Sequence, residues 1–166
     1  SAPGGKSFAA AIAMGDSGSI VSCDIHPHKQ RLIEAGAKRL GLSCICAETQ
    51  DSTQHRQDFD QTFDLVIADV PCSGLGVIRK KPDIRYKDPE PLAGLPRVQA
   101  AILNNCCRYV KPGGVLLYST CTLTKEENED NRDYILAKGG FTLEKEQKFL
   151  PGAPSDGFYL TVFRKE

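Results

Sequence analysis

The stretch FDLVIADVPCSG, residues 63–74, decides how the chain is read. Five apolar or small residues, Leu65 to Ala68 preceded by Phe63, read as a strand buried on both faces. The run ends in Asp69, and a proline and a cysteine, Pro71 and Cys72, follow at once. The same arrangement recurs at GVLLYSTC, residues 114–121, where an apolar strand ends in Thr120 and Cys121. A small domain thus places one thiol just beyond each of two strand ends.

Outward from these two runs the chain alternates strand-like and helix-like segments. SIVSCD (19–24), SCICAE (43–48), 63–69 and 114–120 read as strands. A small-residue helix follows Lys6, and residues 28–40, 97–110 and 124–137 have helical period. Gly41 and Lys111-Pro112-Gly113-Gly114 end two of them, and Thr124 with Glu127 has the spacing of a capping box. The acidic run Glu126–Asp133 reads as that helix's exposed face. FTLEKEQ (141–147) and GFYLTVFR (157–164) alternate like a closing antiparallel pair. Buried strands separated by helices predict an α/β fold, Rossmann-like, with a mostly parallel sheet and helices on both faces. In such sheets ligands bind beyond the carboxyl ends of the strands, where Asp24, Asp51, Asp69, Cys72 and Cys121 all fall. Residues 70–96, rich in Pro, Gly and charge, form a connection long enough to suggest function.

Composition narrows the classes. The 166 residues suit one domain over 1–166, and 40% hydrophobic with 25% charged residues is an ordinary globular mixture. Twenty-one basic and 21 acidic residues leave no net charge, so any nucleic-acid site must be a local patch. Seven cysteines without a framework spacing suit free thiols and a cytoplasmic setting better than a disulfide scaffold. Cys23, Cys44, Cys46, Cys106 and Cys107 read as core. The spacing of Cys44 with Cys46 and of His26 with His28 matches no common zinc pattern, so no metal is expected. No run reaches about 18 apolar residues, and no membrane span is expected.

The chain opens SAPGGKS. Gly5-Lys6-Ser7 matches the end of a phosphate-binding P-loop, and LVIAD would pass for its acidic strand. It equally suits a turn that brings an anionic cofactor group to a helix N-terminus. Asp24, 19 residues past Gly5, favours the second reading, because nucleotide-type sites place an acid there for ribose hydroxyls.

APGGKS, DVPCSGLGVIRKKPDIR and YSTCTLTKEENE together resemble the RNA (cytosine-5) methyltransferases of the Sun/Fmu/Nop family, most closely its bacterial RsmB-like 16S ribosomal RNA methyltransferases. The resemblance runs over nearly the whole chain. It implies a class I fold dependent on S-adenosylmethionine, with ribosomal RNA as partner and a monomer as the working form. It implies that Cys121 is the nucleophile adding to cytosine carbon 6, that Cys72 assists breakdown of the adduct, and that Asp69 contacts the cytosine edge and lies next to the cofactor. Ala2, Pro3, Gly4, Gly5 and Lys6 would line the methionine end, Asp24 the ribose, and Asp51 would lie near the adenine. Arg79, Lys80, Lys81 and Arg85, with Lys87, form a basic run after a catalytic cysteine and are expected to meet RNA phosphate; Tyr86 could stack on a base. The family's first strand and its N-terminal RNA-binding region do not precede Ser1 here, so the chain is expected to be part of a longer protein lacking that central strand. A P-loop hydrolase and an RNA-binding module without catalysis are the competing readings. The first leaves both strand-end thiols unexplained.

Overall fold

The computed structural model describes residues 1–166 other than 87, 89, 153 and 154, with only the backbone at 90 and 91. Two compact units divide it, Ser1–Gln54 and His55–Glu166.

In the first unit, helix α1 (Gly5–Ala13) leads to strand β1 (Ile20–Asp24), helix α2 (Pro27–Leu40) and strand β2 (Ile45–Thr49). Gly4 caps α1 with φ 107°, and a Cβ there would lie 2.3 Å from the Phe8 ring, so only glycine fits. Pro27 begins α2, and Gly41 ends it in the left-handed region, donating to Ala37 and Lys38 carbonyls. Ile33 and Ala37 are the buried residues of α2, whereas Leu32 and Leu40 are exposed. Strands β1 and β2 pair in parallel, Asp24 opposite Thr49.

The second unit holds strand β3 (Phe63–Asp69), the four-residue helix α3 (Glu90–Ala93), helix α4 (Leu95–Tyr109), strand β4 (Val110–Thr120), helix α5 (Glu129–Ala137) and the strands β5 (Phe141–Phe149) and β6 (Phe158–Lys165). The sheet order is β3-β4-β6-β5. β3 and β4 are parallel with Asp69 opposite Ser119; β6 runs antiparallel to both β4 and β5. The expected closing antiparallel pair is therefore β5–β6. Ala68, Val70, Leu103, Leu116, Tyr118, Ile135 and Phe163 belong to one hydrophobic core shared by strands and helices. The described strands thus form two separate sheets, and no strand precedes the glycine turn among the described residues.

The connection 70–96 is not structureless. It forms short 3₁₀ turns at Leu75–Val77 and Pro82–Tyr86 before α3, and Ile84 anchors it as a buried residue. Cys106 and Cys107 are core as expected, but Cys46 is exposed and Cys23 and Cys44 are only partly buried, all three on or beside a sheet of just two strands.

Candidate active site

The residues singled out by the sequence fall into two groups, one in each unit. In the first unit the glycine turn and Asp24 are joined directly. The Ala2 amide donates to Asp24 Oδ2 at 3.1 Å and the His26 amide to Oδ1 at 3.1 Å; the Ser1 amino group lies 3.2 Å from Oδ2. The Asp24 side chain is only 9% exposed. Burial pulls its pKa upward, and the hydrogen bonds from the Ala2 and His26 amides pull it down. Pro3 and Gly4 complete the turn, and Gly5 and Lys6 open α1, whose first amide groups lack helical partners. Asp51 lies two residues beyond β2, at the same end of the parallel pair as Asp24. Its Oδ1 accepts from the Thr53 hydroxyl at 2.7 Å and the Thr53 amide at 2.9 Å, which lower its pKa and fix the turn.

In the second unit β3 and β4 deliver Asp69, Cys72 and Cys121 to one end of a parallel pair. Ser119, opposite Asp69, donates its hydroxyl to Asp69 Oδ1 at 3.0 Å. The Cys72 and Cys121 sulfurs are 3.1 Å apart, and both thiols are free and half-buried. Two sulfurs at this distance cannot both carry charge. The hydrogen-bond contact with Cys72 lowers the Cys121 pKa to about 7, against burial and the nearby Asp69 carboxylate; Lys81 adds a smaller favourable field. The Cys72 thiol is pushed far upward by the same contact and by burial. The Cys121 amide, 3.3 Å from Cys72 Sγ, works weakly the other way. The two thiols therefore titrate as a pair, and their contact favours one retained proton over two thiolates.

Backbone contacts lock the two loops together. The Gly76 amide donates to the Cys121 carbonyl at 3.0 Å, and a Cβ on Gly76 would sit 2.8 Å from that oxygen and 2.4 Å from the Gly157 oxygen. The Ser73 and Thr122 hydroxyls, each next to one of the two cysteines, are 2.7 Å apart.

The acidic run is not simply an exposed face. Glu127, Asn128 and Asn131 are buried, at 4%, 0% and 4% exposure. Helix α5 begins only at Glu129, and Thr124 bonds the Glu127 carboxylate rather than capping a backbone amide. Glu127 accepts from four neutral donors: the Ser73 amide (2.9 Å), the Ser73 hydroxyl (2.5 Å), Gln99 Nε2 (2.9 Å) and the Thr124 hydroxyl (3.1 Å). Burial alone would raise its pKa, but these donors bring it below the usual value. The sequence signal for Glu127 is its three-residue spacing from Thr124, which equally describes a cap; nothing local marks Ser73 or Gln99.

The basic run lies on the loop after Cys72. Lys80 Nζ is 2.6 Å from Asp156 Oδ2 and an Arg79 nitrogen is 3.7 Å from Oδ1, so two of the cations share an acid. Lys81 and Arg85 are exposed, as is Tyr86 at 88%; Lys87 lies outside the described residues. Among the described residues no cluster of three His, Cys, Asp or Glu is placed to hold a metal ion, and no helix is long and apolar enough to cross a membrane.

The fold is Rossmann-like, of the class that solved methyltransferases share. The structure of NSun6 from Pyrococcus horikoshii with SFG matches 99% of this chain and 46% of its own, with TM-score 0.83 and 28% identity. The chain belongs to the 16S rRNA methyltransferase RsmB/F family, whose sequence profile matches residues 1–164. A probable ribosomal RNA small subunit methyltransferase B of Bacillus subtilis is 47% identical over 78% of the chain. Ribosomal RNA small subunit methyltransferase F of Aeromonas salmonicida is 33% identical over 99% of it. The chain spans 29% and 39% of the lengths of these two relatives.

Proposed function

We propose that the protein transfers a methyl group from S-adenosylmethionine to carbon 5 of a cytosine in 16S ribosomal RNA, through a covalent Cys121 adduct, in the cytoplasm and as the catalytic domain of a longer, monomeric chain. The observation that carries this reading is the 3.1 Å Cys72–Cys121 contact at the ends of two paired strands, which also lowers the Cys121 pKa. Family membership supports the reaction class. The relative solved with SFG, an S-adenosylmethionine analogue, supports the cofactor.

Carbon 5 of cytosine is a poor nucleophile. The Cys121 thiolate adds to carbon 6, forming a C–S bond and pushing electron density onto carbon 5. Asp69, at the end of β3, hydrogen-bonds the cytosine edge and favours charge build-up on the ring. The cofactor supplies the electrophilic methyl. Once Cys121 is carbon-bound its negative charge is gone, and the main force raising the Cys72 pKa goes with it. Cys72 then releases its proton to solvent and takes the carbon 5 proton. The C6–S bond breaks with its electron pair returning to Cys121, restoring the aromatic ring and the thiolate.

The first unit's donor set fits the cofactor. A glycine turn at a helix N-terminus suits a carboxylate, with Ala2 to Lys6 at the methionine end. Asp24 takes the ribose hydroxyls and Asp51 lies near the adenine. Arg79, Lys80, Lys81 and Arg85 meet RNA phosphates. No metal takes part in this scheme. The test is incubation of the longer parent with methyl-labelled cofactor and 16S ribosomal RNA, followed by nucleotide mapping. Label in 5-methylcytosine is expected; label in another nucleotide overturns the reading.

A further inference from the structure

We propose that Glu127 is a positioning residue, which fixes the Cys72 loop against the Cys121 segment and so sets the spacing of the two thiols. The inference rests on the two-thiol reading above and adds a residue to it. Glu127 stands six positions after Cys121, on the same connection. Across the gap it takes both the amide and the hydroxyl of Ser73, the residue next to Cys72. One side chain thus grips one motif while rooted in the other.

The rest of the network makes that grip rigid. Gln99 of α4 donates through Nε2 to both Glu127 Oε1 and the Pro71 carbonyl, each at 2.9 Å, so the residue before Cys72 is held as well. Asn131 donates to Gln99 Oε1 at 2.8 Å and orients it. The Tyr118 hydroxyl, buried in β4, donates to the Glu127 carbonyl, and Asn131 reaches that hydroxyl at 2.9 Å. Glu127 is a buried carboxylate with no cationic partner among the described residues; such a group costs free energy unless its lone pairs are filled, and here four neutral donors fill them. A cap for α5 would not require a carboxylate buried this deeply, nor one aimed at a residue 54 positions away. The groups that set the charge on Cys121 are Cys72, Asp69 and Lys81. Glu127 acts on it only by keeping Cys72 within donor distance.

The test reads Cys121 alone, without RNA or cofactor, so its failure is distinct from failure of methyl transfer. Iodoacetamide labelling is followed by peptide mass across pH 5.5–10, since thiolate and not thiol reacts. In the parent, Cys121 labelling should rise with a midpoint about 7. In folded Glu127→Ala the midpoint should climb toward the ordinary thiol value of about 8.5, slowing labelling at pH 7 by roughly tenfold. Glu127→Gln should stay near the parent: its oxygen can serve the two N–H donors, while the Ser73 and Thr124 hydroxyls rotate to accept from its NH₂. An unmoved midpoint in Glu127→Ala overturns the proposal, as does an equal shift in Glu127→Gln, which would make the effect one of charge. Should Glu127→Ala not fold, Ser73→Ala decides. It removes the shortest of the four bonds and should move the midpoint upward by a smaller amount, and no movement overturns the proposal.

Discussion

Cys72 and Cys121 are 49 positions apart in the chain and 3.1 Å apart at their sulfurs. A parallel pairing of β3 with β4 brings the two strand ends side by side, and the Gly76 amide on the Cys121 carbonyl closes the remaining gap. Neither thiol in isolation has a reason to ionise at neutral pH; together they share one proton.

That sharing predicts a specific asymmetry. Cys72→Ala removes the S–H donor, so the Cys121 pKa should rise from about 7 toward its ordinary value. Labelling of Cys121 at pH 7 should then slow roughly tenfold, the factor for a shift of somewhat over one unit. An unchanged pH profile in that variant would mean that Cys72 does not donate to Cys121.

Asp24 is bound to the glycine turn through the Ala2 amide and is mostly buried. Asp24→Ala should weaken S-adenosylmethionine binding by about 1–3 kcal/mol, the scale of a lost charge-assisted hydrogen bond. Calorimetry on the longer parent measures this; equal affinity would remove Asp24 from the ribose.

The cations of the 79–85 run should not contribute equally to RNA binding. Replacing Lys81 or Arg85 by Ala should reduce the slope of log affinity against log salt by about 1 each, because each of these cations neutralises one phosphate. Lys80→Ala should change it less, because Asp156 already partners Lys80. Asp156→Asn should strengthen RNA binding. A slope unchanged from the parent in all of these variants would assign the run to solvated surface.

Glu127 also predicts a pH dependence of stability. Its folded pKa lies below the ordinary 4.5, so its contribution is complete above that pH and is lost as pH falls through the lowered value. Melting temperature should drop on acidification below about 4.5, and the drop should be shallower in Glu127→Gln, which cannot titrate. Parallel curves for parent and variant would show that Glu127 is not ionised in the fold.

Much of this is legible in the sequence, and for physical reasons. Strand β3 runs over Phe63–Asp69 as expected, because a continuous apolar run bounded by polar and turn residues has few alternatives, but it is not buried on both faces: Leu65 and Ile67 are exposed among the described residues. The pair β5–β6 declares itself by alternation, and the thiols by their places at strand ends. Glu127 is hidden because E-E-N-E-D looks solvated, and only Ser73 and Gln99, 54 and 28 positions away, make it interior. Cys46 looks like core because an apolar strand does not say how much of its surface its neighbours cover. The pairing of Lys80 with Asp156 joins segments 76 positions apart and has no local signature.

The central claim is the division of labour between the two thiols, and one denaturing gel tests it most directly. The longer parent, Cys121→Ala and Cys72→Ala are each incubated with S-adenosylmethionine and 16S ribosomal RNA. Cys121→Ala should form no covalent complex. Cys72→Ala should accumulate a protein–RNA adduct, because the C–S bond still forms and methyl transfer follows, while removal of the carbon 5 proton fails. An adduct with Cys121→Ala and none with Cys72→Ala would contradict the assignment and make Cys72 the nucleophile.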